Sequence, residues 1–408
     1  MKQELKQEYK QTELGELPVE WSINKFEACL SNKKIKISKI QQLQFEKIGK
    51  YPIIDQSQEL ISGYWNNDKD VFASPLPVII FGDHTRTFKF IDFPFVCGPD
   101  GTKILVPDKT RTYPLFFYYY LKSLNIPSKG YNRHYSLLKE YLVPLPPLPE
   151  QQKIAYVLSI IQEDKEKTET VINSYKELKS SLMKHLFKYG PVKFEDAEKV
   201  KLKETEIGGM PEGWGVKRLR EVAENRKETV NPRENDIIYV GLEHITPGGI
   251  KLSYYGHSSQ VKSSKSKFYN SDVLYAKLRP YLDKGILAEL EGVCSTDIIV
   301  IKPDKKMIEP KYLAYFTHLP VFLEFSTKSM TGVNHPRTAW STLKDFFIPL
   351  PSTAIQQQIA EILSSVDSKI EQEENKKKAL EELFRSMLRN LMSAKIRVKD
   401  IEVQNEDN

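Results

Sequence analysis

The sequence predicts an α+β chain. Two globular α/β-mixed domains are separated by two long antiparallel, coiled-coil-like helices, and the whole is an internal pseudo-twofold duplication. Three observations carry this. From Glu150 to Tyr189 no glycine or proline intervenes, and apolar residues recur at helical spacing. The stretch after Pro349 repeats the stretch after Pro144 at a constant offset of 205 residues, with Pro-Leu-Pro, Gln-Gln and Ile-Ala in matching places. Thr12 to Trp21 (TELGELPVEW) is echoed by Thr205 to Trp214 (TEIGGMPEGW).

Taken in order, residues 1–11 are polar and expected to fray. Residues 12–149 form the first globular domain. Val78–Phe81, Phe88–Cys97 and Ile104–Val106 are strand-like, with Gly98-Pro99-Asp100-Gly101 as a turn. Pro114 opens a helix, and a glycine-led loop runs from Ser128 to Tyr135. Residues 150–190 are the first long helix, roughly 60 Å at ~1.5 Å per residue. Residues 191–204 are charged and read as a linker. Residues 205–353 form the second globular domain. Its strand candidates are Asp236–Val240, Val273–Tyr275 and Ile298–Ile301, its helix opens at Pro310, and a loop runs from Thr331 to Arg337. The interiors of the two domains match poorly in sequence. Residues 354–395 are the second long helix, and 396–408 a flexible tail. The seam between the helices is expected from Ile154, Leu158, Ile161, Leu178, Leu182 and Leu186 against Ile359, Leu363, Val366, Leu383 and Leu391. It is weakest where the helices turn polar, at Gln162 to Thr170 and Glu371 to Lys378.

Composition narrows the function. The 408 residues carry a net charge of +6, which permits a polyanionic partner without requiring one. Three widely spaced cysteines indicate neither a disulfide framework nor a zinc finger and fit a reducing cytosol. No apolar run at the N-terminus suggests a signal peptide, and no run of ~20 apolar residues suggests a membrane span.

Catalytic patterns are missing. There is no GxxxxGK[ST] loop, no GxGxxG after a strand, no HExxH and no Asp/Asn-Pro-Pro-aromatic motif. This points to recognition rather than catalysis. What recurs instead, at matching places in both halves, is basic, amide and aromatic residues in loops. The candidates for contact with nucleic acid are His84, Arg86, Lys103, Asn132, Arg133 and His134 in the first half. In the second they are Lys262, Lys265, Lys277, Arg279, Tyr281, Asn334, His335 and Arg337. Arg and Lys pair with guanine edges and phosphates, and Asn with adenine edges. No metal site is expected.

These residues resemble a known family, the specificity subunits of type I restriction-modification systems. The resemblance rests on PLPPLPEQQKIA before the first long helix, Ile348-Pro349-Leu350-Pro351 before the second, and the two Trp-ended domain starts. Phe81-Gly82-Asp83-His84-Thr85-Arg86 with Asp100-Gly101-Thr102 is similar to one recognition-domain type, and Leu278-Arg279-Pro280-Tyr281 with Cys294-Ser295-Thr296 to another. Ala354-Ile355 departs from the usual Pro-x-x-Glu before the glutamines. The resemblance implies a cytoplasmic, non-catalytic subunit whose two target-recognition domains each read one half of a split, asymmetric DNA site. It implies two methyltransferase subunits, which methylate adenine N6, and two restriction subunits. S-adenosylmethionine, ATP and Mg²⁺ then belong to those partners. The residues alone leave two alternatives, a coiled-coil scaffold that joins proteins without reading DNA and a stand-alone repressor.

Overall fold

The computed structural model describes residues 9–33, 35, 37–128, 130, 133–231, 237–261 and 263–398. The chain divides into two compact units, residues 1–168 with 376–408, and residues 169–375. Each long helix therefore contributes one half to each unit.

In the first unit, the all-apolar run Val78–Gly82 is the centre of a three-stranded antiparallel sheet, flanked by Phe88–Ile91 and Thr102–Leu105. Covered on both faces, its five residues are all buried. A second sheet has the order Gly63–Trp65, Tyr51–Ile54, Phe95–Cys97, Val71–Phe72, and its two central strands run parallel. The expected continuous strand Phe88–Cys97 is thus two strands in two sheets. Pro94 lies at the break, where the missing N–H ends ladder pairing. Ser22–Lys25 pairs with Leu142–Leu145 beside the start of the first long helix.

The second unit repeats this topology and adds one edge strand to each sheet, Ala223–Asn225 beside Ile298–Pro303 and Thr229–Val230 beside Lys265–Phe268. Val273–Ala276 lies between Ile298–Pro303 and Gly285–Leu287. The parallel pair Ile238–Val240 and Gly292–Cys294 sits between Gly256–His257 and Lys265–Phe268. Gly215–Arg218 pairs with Phe347–Leu350, as Ser22–Lys25 does with Leu142–Leu145. The domain interiors that differ in sequence share one fold, because these strands require only apolar residues at buried positions.

The long helices span Leu148–Tyr189 and Thr353–Met392, 42 and 40 residues. In the first unit Ile154, Ala155, Leu158 and Ile161 share one continuous core with Phe384, Leu388 and Leu391 of the other helix and with Trp21, Phe116 and Tyr119 of the domain. The Tyr119 and Phe384 rings meet edge to face at 5.8 Å. In the second unit Met183, Leu186 and Phe187 share a core with Ile359, Leu363, Leu219 and Tyr312, and Phe187 stacks 4.8 Å from Tyr312. There Lys176 pairs with Glu374 at 2.9 Å and Lys179 with Asp367 at 2.7 Å. Rising numbers meet falling ones, so the helices run antiparallel. The expected helix-to-helix seam is therefore a three-way core of helix, helix and domain. Each side chain of this size buried there contributes ~1.5–3 kcal/mol. Leu182 is only partly buried, and Val366 is buried. Leu178 and Leu383 are not seam residues: they are 42% and 46% exposed, on the outer helical faces.

The repeated glutamines explain the repeated lead-ins. Gln151 is buried, donates from Nε2 to the carbonyls of Arg111 (2.9 Å) and Pro146 (2.8 Å), and accepts from the Tyr113 amide (2.7 Å). Gln356 does the same with Met307 (3.1 Å), Pro351 (2.8 Å) and the Glu309 amide (2.8 Å). Each glutamine locks the start of a long helix to the loop ahead of the Pro114–Ser123 or Pro310–Phe316 helix.

Three expectations at the chain's connections need correction. Tyr9–Thr12 is not frayed but pairs with Gly15–Pro18. The linker is folded: Phe194 stacks on His185 at 4.2 Å, and Leu202–Lys203 pairs with Met210–Pro211. The second helix ends at Met392, three residues early, because Ala394 turns left-handed (φ 53°). The chain then folds back, so residues 396–398 are docked rather than loose. Val398 is buried in the first core. Arg397 reaches Glu150 at 2.7 Å and Glu20 at 2.6 Å.

Candidate nucleic-acid interface

In each domain three loops converge beyond the ends of equivalent strands. In the first, they follow Val78–Gly82, link Phe95–Cys97 to Thr102–Leu105, and precede the short helix Tyr135–Leu138. In the second, they follow Val273–Ala276, link Gly292–Cys294 to Ile298–Pro303, and precede Trp340–Leu343.

Asp83 joins the loops of the first domain. It is buried and donates its amide to Gly101 O at 2.7 Å. Its Oδ1 accepts from the amides of His134 (2.8 Å) and Tyr135 (2.7 Å). Its carbonyl oxygen lies 2.8 Å from His134 Nδ1. Gln56 joins from below, accepting the His84 amide through Oε1 (3.2 Å) and the Thr85 hydroxyl through its carbonyl (2.6 Å). Gly101, at φ 99°, must stay glycine: a Cβ there would lie 2.7 Å from the Gln56 amide.

Basic residues surround this knot. Lys39 lies 2.9 Å from Asp100. Lys39 first, then Arg133 and Lys103 more weakly, hold the Asp100 carboxyl below the usual carboxylate range. Arg86, left-handed at φ 61°, is exposed and donates from Nη1 to Ile126 O at 2.9 Å. Lys103 stands 4.0 Å from Asp83 and 5.8 Å from the centre of the Tyr135 ring. Arg133 is exposed and His84 half-buried. His134 is fully buried, so it does not reach a ligand at the surface. It was expected as a contact but serves as the anchor of its loop.

The second domain ties the same loops differently. Arg337 Nε and Nη2 grip the two oxygens of Asp297 at 2.8 and 3.1 Å. Asp297 is held below its usual range first by Arg337, with smaller contributions from Lys277 and His335. The loops are also stitched by backbone: Arg279 N donates to Pro336 O (2.9 Å), Thr338 N to Lys277 O (3.0 Å) and Lys277 N to Asp297 O (2.9 Å). Arg279 (φ 50°) and Asp283 (φ 52°) bracket the turn Pro280–Leu282, which leaves Tyr281 48% exposed beside exposed Arg279. Asn334 and His335 are exposed on the last loop and Lys277 is half-buried.

Lys265 does not belong to this face. It is buried on the strand Lys265–Phe268, bonded to Ser263 Oγ at 2.6 Å. Asn132 and Lys262 lie outside the described residues. Lys39, Gln56 and Asp297 went unnoticed in sequence, and Asp83 was read only as a member of the motif Phe81–Arg86, not as the residue that joins the loops. The two aspartates sit in turn-like stretches, where such residues are commonplace, and nothing local reveals their partners.

Two domains that share a core topology, each ending in a set of basic loops and each joined to halves of two long helices, define an internally duplicated protein. Family comparison makes this specific. The model of the type I restriction modification DNA specificity domain matches residues 26–176 and again 211–382. The chain belongs to that family. It is 26% identical over 274 residues to the type I restriction enzyme MjaVIII specificity subunit of Methanocaldococcus jannaschii, covering 64% of this chain and 63% of that protein, just under two thirds of its length. It is 25% identical over 331 residues to the type I restriction enzyme EcoBI specificity subunit of Escherichia coli, covering 74% of this chain and 68% of the relative. The crystal structure of a type I restriction-modification S subunit from M. genitalium shares the fold, with a TM-score of 0.59 at 19% identity over 91% of this chain and 96% of that one. Among the described residues, no helix is long and apolar enough to cross a membrane.

Proposed function

We propose that this chain is the DNA-recognition subunit of a type I restriction-modification complex, in which each domain reads one half of a split, asymmetric site. The carrying observation is the pair of loop faces: the core strand topology is the same, while the groups presented differ. Arg86, Lys103 and Arg133 mark one face, and Lys277, Arg279, Tyr281, Asn334 and His335 the other. Equivalent frames with unlike side chains suit two half-sites of unlike sequence.

In this reading the chain catalyses nothing and acts in the cytoplasm. The long helices set the spacing of the half-sites and offer their outer faces to two methyltransferase subunits, with two restriction subunits joining the assembly. S-adenosylmethionine, ATP and Mg²⁺ stay with those partners, whose reaction is adenine-N6 methylation and cleavage. Four residues removed from both helices would shift one reader by ~6 Å and ~40°. The preferred spacer would change while both half-site sequences persist.

The test is selection of duplexes from a randomised library by the full chain. Arg133→Ala should relax one half-site alone and Arg279→Ala the other, with each lost base contact costing ~1–3 kcal/mol of discrimination. Loss spread evenly over both halves would refute separate readers. Capture of proteins without any duplex preference would favour the scaffold alternative.

A further inference from the structure

We infer that Arg337 is a positioning residue of the second domain rather than a DNA contact: clamped to Asp297, it sets the pose in which the loop Thr331–Arg337 presents Asn334 and His335. This rests on the DNA-reading function proposed above. It reverses the role expected of Arg337 from its place in a basic loop.

The geometry argues for it in three ways. First, the guanidinium is already committed. Nε and Nη2 meet Asp297 in a fork-to-fork pair, and Nη1 donates to His335 O at 3.2 Å. A guanidinium has five N–H donors, so three are taken, and its charge is matched by a carboxylate. Second, the bond joins parts that must be held together. Asp297 lies in the loop before Ile298–Pro303, and Arg337 lies 40 residues further on. The loop is closed on itself by reciprocal backbone bonds between Thr331 and Arg337, both 3.0 Å. It is joined to the Pro280 turn by Arg279 N to Pro336 O. Third, the first domain answers the same need at the same place by other means. There Asp83 holds the equivalent loop through the His134 and Tyr135 amides. Its loop anchor, His134, is wholly buried. Two unlike locks on one loop indicate that holding this loop is what both domains require.

The experiment uses the full chain and a randomised duplex library, followed by titration of the duplex that the wild type selects. Asp297→Ala should weaken binding roughly tenfold and blur only the second half-site, because a freed loop loses its contacts as a set. Arg337→Lys should fail as Arg337→Ala does, since lysine keeps the charge but has no fork. The slope of affinity against salt should be the same in all three. A phosphate contact by Arg337 predicts the opposite in each case. Asp297→Ala would tighten binding by removing a repelling carboxylate, Arg337→Lys would bind nearly as wild type, and Arg337→Ala would lower the salt slope by about one. Any of these results overturns the inference. Asp297→Asn, which keeps one acceptor, replaces the alanine variant if circular dichroism shows that the latter does not fold. A wild-type chain that selects no sequence at all would strike the DNA-reading function itself. A selective wild type with an indifferent Asp297→Ala would strike only the clamp.

Discussion

Gln151→Ala isolates the bond network on which the helix starts depend. The side chain is buried and satisfies three backbone groups, the carbonyls of Arg111 and Pro146 and the amide of Tyr113. Truncation strands all three. A buried polar group left unpaired costs about 1–3 kcal/mol. Taking the low end for each, since a water can enter the space left, gives about 3 kcal/mol. The first unit has about 200 residues. For a unit of that size 1 kcal/mol moves Tm by ~2–4 °C, so its transition should fall by ~6–12 °C in calorimetry of the full chain. Gln356→Ala should do the same to the second unit, because its three bonds are equivalent. Gln151→Glu should be at least as damaging at neutral pH, because it turns a buried carboxylate toward the carbonyls of Arg111 and Pro146. A drop below ~2 °C for either alanine variant would show that these glutamines do not hold the helices to their domains.

Two further outcomes are expected. Arg397→Ala removes the pairs to Glu150 and Glu20 and leaves the Glu150 carboxylate the bond from Trp21 Nε1 at 3.0 Å. It should cost about 2 kcal/mol, read as a Tm loss of ~4–8 °C in the first unit, and an unchanged Tm would mean that residues 396–398 are not docked. Cys29, Cys97 and Cys294 are all buried, and burial pushes their thiols up to about 12, 11 and 12. Raised values keep them protonated at pH 8, so iodoacetamide should label them only after unfolding, and rapid native labelling of any one would contradict its placement.

The parts legible in the sequence are those whose cause is local. A helical period persists over 40 residues without reference to the rest of the chain, so both long helices could be read directly. Pro114 and Pro310 likewise mark helix starts by their own geometry. The apolar central strands Val78–Gly82, Val273–Ala276 and Ile298–Pro303 were legible too, but the short strands of the second sheets were not. Gly292–Cys294 is three residues long and owes its existence to partners at Ile238–Val240 and Lys265–Phe268. The site shows the same division. Arg133 and Arg279 are exposed on their loops as expected. His134 was misjudged because Asp83, 51 residues away, draws it inside. Arg337 looked free because its partner, Asp297, is 40 residues away. Leu178 and Leu383 fit the apolar stripe by spacing but fall beyond the width that the packed core covers.

The two locks also differ in what they contribute, and this can be measured. Asp83 is almost wholly inaccessible and caps two backbone amides. An amide cannot move to solvent unless the chain moves with it. Asp83→Ala therefore strands the Tyr135 N–H, while the His134 N–H keeps the Asp83 carbonyl oxygen at 3.0 Å, and it should cost ~1–3 kcal/mol in chemical denaturation of the full chain. Asp297 faces a guanidinium whose side chain is 41% exposed. Freed from its partner, that group swings into water and is satisfied there, so Asp297→Ala should cost only a small fraction as much. Its effect should fall on the loop's pose instead. The first lock is then part of the fold, and the second sets the pose of its loop above all. Equal losses of stability in the two variants would refute this division, because they would place Arg337 in an environment as closed as that of His134.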